Sequence, residues 1–265
     1  MYNGFCYLGV VPVRKKAESS AEQVTQLLFG DTVSVIDEYK GENEITDSWF
    51  KIRNTYDDYE GWTDKRNILL YEPGKLSDNI NQCISHKYIV SSSVAKIKTD
   101  DGFITVPMAA VLPDKVFSIN NHNFALSEGS VIPTEKCNPL LIKAVSLLYL
   151  NTPYQWGGKS ILGMDCSGFT QNVFRFAGIK LKRDAFEQAT QGNNVSFESI
   201  KSGDLCFFDN KQGKITHVGI YLGGNQIIHC SGKVRIDTLD ANGIITNEDG
   251  KEKYSHRLCK VQSFI

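Results

Sequence analysis

Seven cysteines are spread along the 265-residue chain, and one of them, Cys166, stands where a glycine-rich loop meets the start of an amphipathic segment, in Met164-Asp165-Cys166-Ser167-Gly168-Phe169. A helix N-terminus offers free N–H groups and the positive end of the helix dipole, which favour thiolate, the nucleophilic form of cysteine. A thiol so placed suits covalent catalysis, whereas a cysteine without partners is ordinarily a small buried hydrophobe. Partners lie downstream. His217 and His229, two of the five histidines, fall in one hairpin-like stretch between Thr216 and Ser231. One imidazole can take and return the thiol proton while a second polar group holds it in the right tautomer.

Both rings must then reach one face of the hairpin. Side chains alternate along a strand, so register decides the matter. If Gly223-Gly224 formed a two-residue turn, Leu222 would pair with Asn225 and His217 with Cys230, and the two histidines would point to opposite faces. A three-residue loop with a glycine in the left-handed region puts them together. The catalytic reading therefore requires that register, or a bulge that compensates for a two-residue turn.

The elements that carry these residues are legible from hydrophobic period. Asn138-Pro139 offers an N-cap and a proline at the first helical position, followed by Leu140, Leu141, Ala144, Leu147 and Leu148 at helical spacing to Tyr149. A loop from Asn151 to Met164 leads to a second helix, about Asp165 to Ala177, with Phe169, Val173, Phe176 and Ala177 as its apolar stripe and Gly178 at the stop position. Beyond Gly203 come strand-like runs at 204–208, 216–222, 226–231, 234–237 and 256–264. Helices first and an antiparallel sheet second make an α+β domain.

The N-terminal half reads differently. Short β-branched runs at 10–13, 26–28, 32–36 and 49–52, separated by turn-rich stretches, indicate a small β-barrel or sandwich. Residues 72–79 are polar and rich in breakers, as a linker would be. A second β-rich block follows, with runs at 88–90, 94–97, 103–106, 115–119, 123–126 and 131–133. The expected division is 1–74, 75–133 and 134–265.

Composition narrows the function classes. The chain is 41% hydrophobic and holds 29 Lys+Arg against 30 Asp+Glu, enough apolar residues for a sizeable core and no basic footprint for nucleic acid. Residues 1–133 carry 13 basic and 18 acidic side chains and residues 134–265 carry 16 and 12, a mildly basic C-terminal half that fits an anionic small substrate or simply a solvated surface. No window approaches the ~18 apolar residues of a membrane span. The start, Met1 to Tyr7, has no basic region followed by an apolar run, so a cytoplasmic protein is expected; loss of a leader would leave a similar start on a periplasmic or envelope protein. The cysteines are odd in number, widely spaced and form no CxxC pair, which points to a reducing compartment rather than a disulfide framework or zinc site.

The motifs together carry a resemblance. Thr152-Pro153-Tyr154-Gln155-Trp156-Gly157-Gly158, Asp165-Cys166-Ser167-Gly168-Phe169, Arg183-Asp184-Ala185 with Gln188, Gly203-Asp204-Leu205, Thr216-His217-Val218-Gly219-Ile220-Tyr221 and Ile228-His229 resemble the NlpC-type cysteine peptidases of the papain-like superfamily. Tyr59-Glu60-Gly61-Trp62-Thr63, after Trp49-Phe50-Lys51-Ile52-Arg53, resembles the closing strands of a bacterial SH3-like barrel, and 75–133 is read as a divergent second one. The fold so implied is a papain-like α+β domain behind one or two SH3-like barrels, similar to the γ-D-glutamyl-L-diamino-acid endopeptidases of bacterial cell-wall peptides.

Carried over residue by residue, the resemblance implies Cys166 as nucleophile, His217 as general base and acid, and His229 as the orienting third member. Tyr154, twelve residues before Cys166, would help the Cys166 N–H stabilise the oxyanion, or else be an aromatic packed on its loop. Asp165 would grip the free N-terminal amine of the substrate, or serve as a helix N-cap. Trp156 and Ser167 would line the cleft. Arg183 would engage the α-carboxylate that a γ-linkage leaves free, or form a structural ion pair. Relatives often place a hydroxyl residue shortly after this arginine, where this chain has Asp184-Ala185. Tyr59 and Glu22 would be the barrel's contributions to substrate binding. An acidic pair such as Glu22 with Asp165 would accept an ammonium terminus and reject an acylated one.

The expected activity is cleavage of the γ-D-glutamyl-L-diamino acid bond in short murein peptides with a free N-terminal L-alanine, without metal or cofactor. The expected partner is that peptide alone, with no nucleic acid and no membrane span; oligomeric state is left open. The competing readings are a non-catalytic peptidoglycan-binding module and an amidase or acyltransferase of the same superfamily.

Overall fold

The computed structural model describes residues 2–42, 47–71, 86–136, 138–248 and 250–264. The stretch read as a linker, 72–79, and two of the cysteines, Cys83 and Cys137, lie outside the described residues. Two compact units emerge, one of residues 1–137 with 156–161 and one of residues 138–155 with 162–265.

In the first unit, seven short strands bury alternate side chains. They are β1 (Tyr2–Cys6), β2 (Val10–Arg14), β3 (Gln23–Leu28), β4 (Thr32–Lys40), β5 (Ser48–Asn54), β6 (Glu60–Asp64) and β7 (Ile68–Tyr71). Their order in an antiparallel sheet is β3-β2-β6-β5-β4-β1-β7. Val11, Val13, Leu27, Val33, Phe50, Ile52 and Ile68 meet in its core. The Gly-Trp signature has a steric reason, since a Cβ on Gly61 would come within 2.5 Å of Val13 Cγ1 and 3.0 Å of the Arg14 carbonyl oxygen, prising β6 from β2.

The second β-rich block forms two small antiparallel sheets. Its strands are β8 (Tyr88–Val90), β9 (Val94–Thr99), β10 (Gly102–Pro107), β11 (Val111–Leu112), β12 (Val116–Ile119), β13 (His122–Glu128) and β14 (Val131–Pro133), ordered β10-β9-β13-β12 and β11-β8-β14. This block does not stand apart from the first. Phe5 and Phe29 pack against Phe117 and Phe124 with ring centroids 5.9 to 6.4 Å apart, and the Val111 N–H donates to the Phe29 carbonyl at 3.0 Å. Gly30, at φ +90°, lets the chains approach that closely. The two blocks share a core and form one unit, together with the excursion that holds β15 (Lys159–Ser160).

The second unit contains α1 (Leu141–Leu148), β16 (Gly163–Met164), α2 (Cys166–Phe176), α3 (Ala185–Gln188) and β17 (Asn193–Asn194). Six strands follow: β18 (Leu205–Asp209), β19 (Ile215–Gly223), β20 (Gln226–Ser231), β21 (Lys233–Leu239), β22 (Gly243–Glu248) and β23 (Lys251–Ser263). Each pairs antiparallel with the next, and β23 pairs with both β22 and β18, so the sheet closes on itself. Cys206, Phe208, Tyr221, Ile227, Leu239, Ile244 and Val261 form its inner core. The helices pack on the outside, with Tyr149 edge-on to Phe169 and Phe174 edge-on to Phe264.

Three local readings are corrected. Asn138 does not cap α1 directly: its Oδ1 accepts from the Leu140 N–H at 3.0 Å, closing a turn before the helix begins. α2 is buried on nearly all sides, because its polar residues find internal partners, Thr170 with Gln188 and Gln171 with the Leu181 carbonyl. No strand was expected over 238–255, where β22 and the first half of β23 lie: Ile244-Ile245 is too short an apolar run to alternate and Lys251-Glu252-Lys253 is charged throughout, so cross-strand pairing supplies the order.

Candidate active site

Cys166 is the first residue of α2 and only 8% exposed. Asp165 caps the helix in front of it, its Oδ1 accepting from the Gly168 N–H at 2.7 Å. Burial pushes the Cys166 thiol up to about 12, and the negative charge of Asp165 adds to this. Hydrogen bonding to the Val218 backbone, the Arg183 charge and the Ser167 backbone pull the other way without prevailing. The helix N-terminus that favours thiolate is in place, but burial and the Asp165 charge act against it. Val218 adjoins His217 in β19, so the contact with its backbone brings the sulfur to the strand that carries the first histidine.

The hairpin meets the register requirement by an unexpected route. Gly219 pairs with His229, Ile220 with Ile228 and Tyr221 with Ile227, the register of a three-residue loop. At the tip, however, Gly223 pairs with Gln226 across a two-residue turn, Gly224-Asn225, with φ of +60° at both. A bulge at Leu222 absorbs the one-residue difference. His217 and His229 consequently share a face, and Gly219 between them is necessary, because a Cβ there would lie 2.9 Å from the His229 Cβ and 2.8 Å from Ile227 Cδ1.

The rings form a directed chain. His217 Nε2 lies 2.8 Å from His229 Nδ1, and His229 Nε2 lies 2.9 Å from Asp237 Oδ2. The other oxygen of Asp237 accepts from Arg235 Nη2 at 2.8 Å. Burial opposes the Asp237 charge, yet the hydrogen bonds from His229 and Arg235 hold its carboxyl below the usual carboxylate range. A carboxylate only accepts, so His229 Nε2 carries a proton; with His229 uncharged, its Nδ1 accepts and His217 Nε2 donates. The lone pair left over is on His217 Nδ1. Burial keeps the His217 imidazole well below its ordinary value and hence neutral, and any charge on His229 or His256 would push it further down.

Asp237 was not among the sequence candidates. Strand parity was the available signal: in β21 it pairs with Ile227, two residues from His229 and on the same side of the sheet. His256 was missed as well: it opens the run 256–264 that was read as a strand, but no motif or spacing along the chain ties it to the histidine pair. Its ring stacks on His217 with centroids 4.2 Å apart and planes inclined by 26°.

The other candidates divide between the two units. Arg183 is 1% exposed and donates from Nη1 and Nη2 to both oxygens of Asp165, at 3.0 and 2.6 Å, and from Nη1 to Ser167 Oγ at 2.9 Å. Of the two roles open to it, the geometry has the ion pair, and an arginine so enclosed offers no face to a substrate carboxylate. Asp165 takes its N-cap role and also binds this arginine. Ser167 is buried within the same cluster. Tyr154 is 40% exposed, and its hydroxyl is pushed up to about 12 by burial and by the charges of Cys166 and Asp165, so it stays a proton donor. Trp156, Glu22 and Tyr59 belong to the first unit, where the Trp156 Nε1–H donates to Glu22 Oε1 at 2.9 Å and Tyr59 follows a turn closed by Asp57.

The NlpC/P60 family matches residues 151–250 and the bacterial SH3 domain matches residues 9–68. The gamma-D-glutamyl-L-lysine dipeptidyl-peptidase of Bacillus subtilis (strain 168) is 31% identical over 218 residues, covering 77% of this chain and 71% of that protein. The protein of the same name from Bacillus cereus is 30% identical over 262 residues, covering 87% and 74%. The crystal structure of an NlpC/P60 family protein from Bacillus cereus has the same fold, with a TM-score of 0.79 over 99% of each chain at 21% identity. The chain belongs to the NlpC/P60 family of peptidases, with a bacterial SH3 domain at its N-terminal side.

Proposed function

We propose that this chain is a cysteine endopeptidase that hydrolyses the γ-D-glutamyl bond to a diamino acid in murein peptides with a free N-terminal L-alanine. The observation that carries the proposal is the chain Asp237–His229–His217, which leaves His217 Nδ1 as the free base on the strand whose backbone meets the Cys166 sulfur. The names of the two Bacillus relatives support the choice of bond.

A neutral thiol beside a neutral imidazole calls for general-base attack. His217 Nδ1 takes the Cys166 proton as the sulfur bonds to the γ-carbonyl carbon. The Cys166 N–H and the Tyr154 hydroxyl face the oxyanion, where one donor is worth ~3 kcal/mol. His217 then gives the proton to the leaving amine, the C–N bond breaks, and the diamino acid departs. Water, deprotonated by the same nitrogen, attacks the thioester carbon, the C–S bond breaks, and His217 returns the proton to the Cys166 sulfur as L-Ala-D-Glu leaves.

The test is mass spectrometry of L-Ala-γ-D-Glu-diaminopimelate and its L-lysine counterpart incubated with the protein, beside N-acylated versions and a Cys166→Ala variant. Cleavage of the free peptides alone, lost in the variant, is the expected result. Cleavage of the acylated peptides too would remove the amine requirement, and cleavage of none would overturn the proposal.

A further inference from the structure

A third histidine lies against the base. His256, on β23, is on a different strand from both members of the histidine pair, and its ring stacks nearly parallel on His217 at 4.2 Å. It also meets His229 edge-on, with centroids 5.8 Å apart at 80°. Phe208 completes the surround, 5.8 Å from His217 and 6.0 Å from His256. A ring whose Nε2 donates to His229 can still swing about that bond, and the stack restricts the swing. We propose that His256 is a positioning residue, whose ring fixes the plane of His217 so that Nδ1 faces the thiol and whose π face stabilises the positive charge His217 acquires with the proton. The inference rests on His217 acting as the base.

Stabilisation requires a neutral partner, since the face of an uncharged aromatic ring attracts a cation while a second cation would repel it. The groups around His256 keep it so. From β19 it faces His217, from β20 His229 and from β21 Asp237, while β18 presents Phe208 and β22 pairs Ile244 beside it. On its own strand, Ser255 Oγ is 2.9 Å from its Nδ1, and the next residue, Arg257, is bound by Asp209. Burial, with the neighbouring His229, lowers the His256 imidazole to about 4, and Asp237 only partly offsets this. At neutral pH the stack therefore holds one ring that protonates in turnover and one that does not.

The test needs no substrate. The rate at which iodoacetamide alkylates Cys166 is followed against pH by peptide mass mapping, which separates it from the exposed thiol of Cys259, in the wild type and in the His217→Ala, His256→Ala and His256→Phe variants. His217→Ala is expected to slow alkylation at neutral pH by at least tenfold. His256→Ala is expected to slow it about tenfold, between the exposed and the fully desolvated strength of a cation–ring contact, and to move the midpoint of the pH profile upward. His256→Phe keeps a ring face and should stay within about threefold of wild type with an unmoved midpoint. A His256→Ala rate within twofold of wild type, or a phenylalanine variant as slow as the alanine one, overturns the proposal while leaving His217 as the base. Full reactivity in His217→Ala removes both.

Discussion

The two oxygens of Asp237 have different donors, and this makes Asp237→Asn an informative change. Oδ2 accepts from His229 Nε2 and Oδ1 from Arg235 Nη2, at 2.9 and 2.8 Å. Asparagine has one oxygen and one NH2 group, and arginine can only donate. If the oxygen serves Arg235, the NH2 meets His229 and requires an unprotonated Nε2; His229 Nδ1 then donates to His217 Nε2, and His217 Nδ1 carries a proton toward the thiol. The base is lost by a tautomer flip, a change that costs up to ~10⁴ in rate where a carboxylate orients a catalytic histidine directly. If the oxygen serves His229 instead, two donors oppose each other at Arg235 and a charged hydrogen bond worth about 1.5–3 kcal/mol is gone, which is about 10- to 150-fold. Either way kcat for the γ-glutamyl peptide should fall at least about tenfold with KM little changed. Removing the competing donor separates the two causes: in Asp237→Asn with Arg235→Met, the single oxygen returns to His229 and most of the tautomer loss should be recovered. An Asp237→Asn enzyme within threefold of wild-type kcat, or a double variant no faster than the single one, would refute the directed chain.

The remaining predictions concern the support of the site. Arg183→Met leaves the Asp165 carboxylate buried without its ion-pair partner and should destabilise the protein by about 3–5 kcal/mol in urea unfolding, whereas Arg183→Met with Asp165→Asn should regain much of that; equal stability of the two variants would contradict a buried pair. Gly219→Ala forces a methyl into contact with His229 and Ile227, at an expected cost of about 1–3 kcal/mol and with a fall in kcat, and unchanged thermal stability would show that the hairpin yields. Acidification should destabilise the fold before the carboxylates titrate. His217 and His256 are held neutral below their unfolded values, so the unfolded chain binds more protons under pH 6.5 and stability is lost as pH falls toward the folded values. For His256, with a folded value of about 4, the loss at pH 5 is at most about 2 kcal/mol, reduced by the partial exposure of its ring. Stability that is flat from pH 7.5 to pH 5 in urea titrations would speak against it.

Much of the fold was legible because local period carries it. The runs at 10–13, 49–52, 94–97 and 216–222 lie in β2, β5, β9 and β19, and Gly178, at φ +74°, closes α2 where a helix stop was expected. The reading failed where pairing rather than period supplies the order, as in β22 and the start of β23. The hairpin lies between these cases. Parity alone showed that the histidines needed a shifted register, but the bulge at Leu222 that provides it depends on how Gly223, Gly224 and Asn225 share the turn.

The sequence by itself determined the motifs that mark the family, and with them the cysteine and two histidines that the proposed mechanism uses, because these depend on residue type, order and spacing along one chain. Tertiary structure alone decided the electrostatics of the site. Whether Arg183 meets a substrate or Asp165, whether the Cys166 thiol rests charged or neutral, and whether Asp237 and His256 join the histidine pair all depend on distances between strands and on how much water is excluded. Charge stabilisation varies steeply with both, and neither is encoded in local spacing.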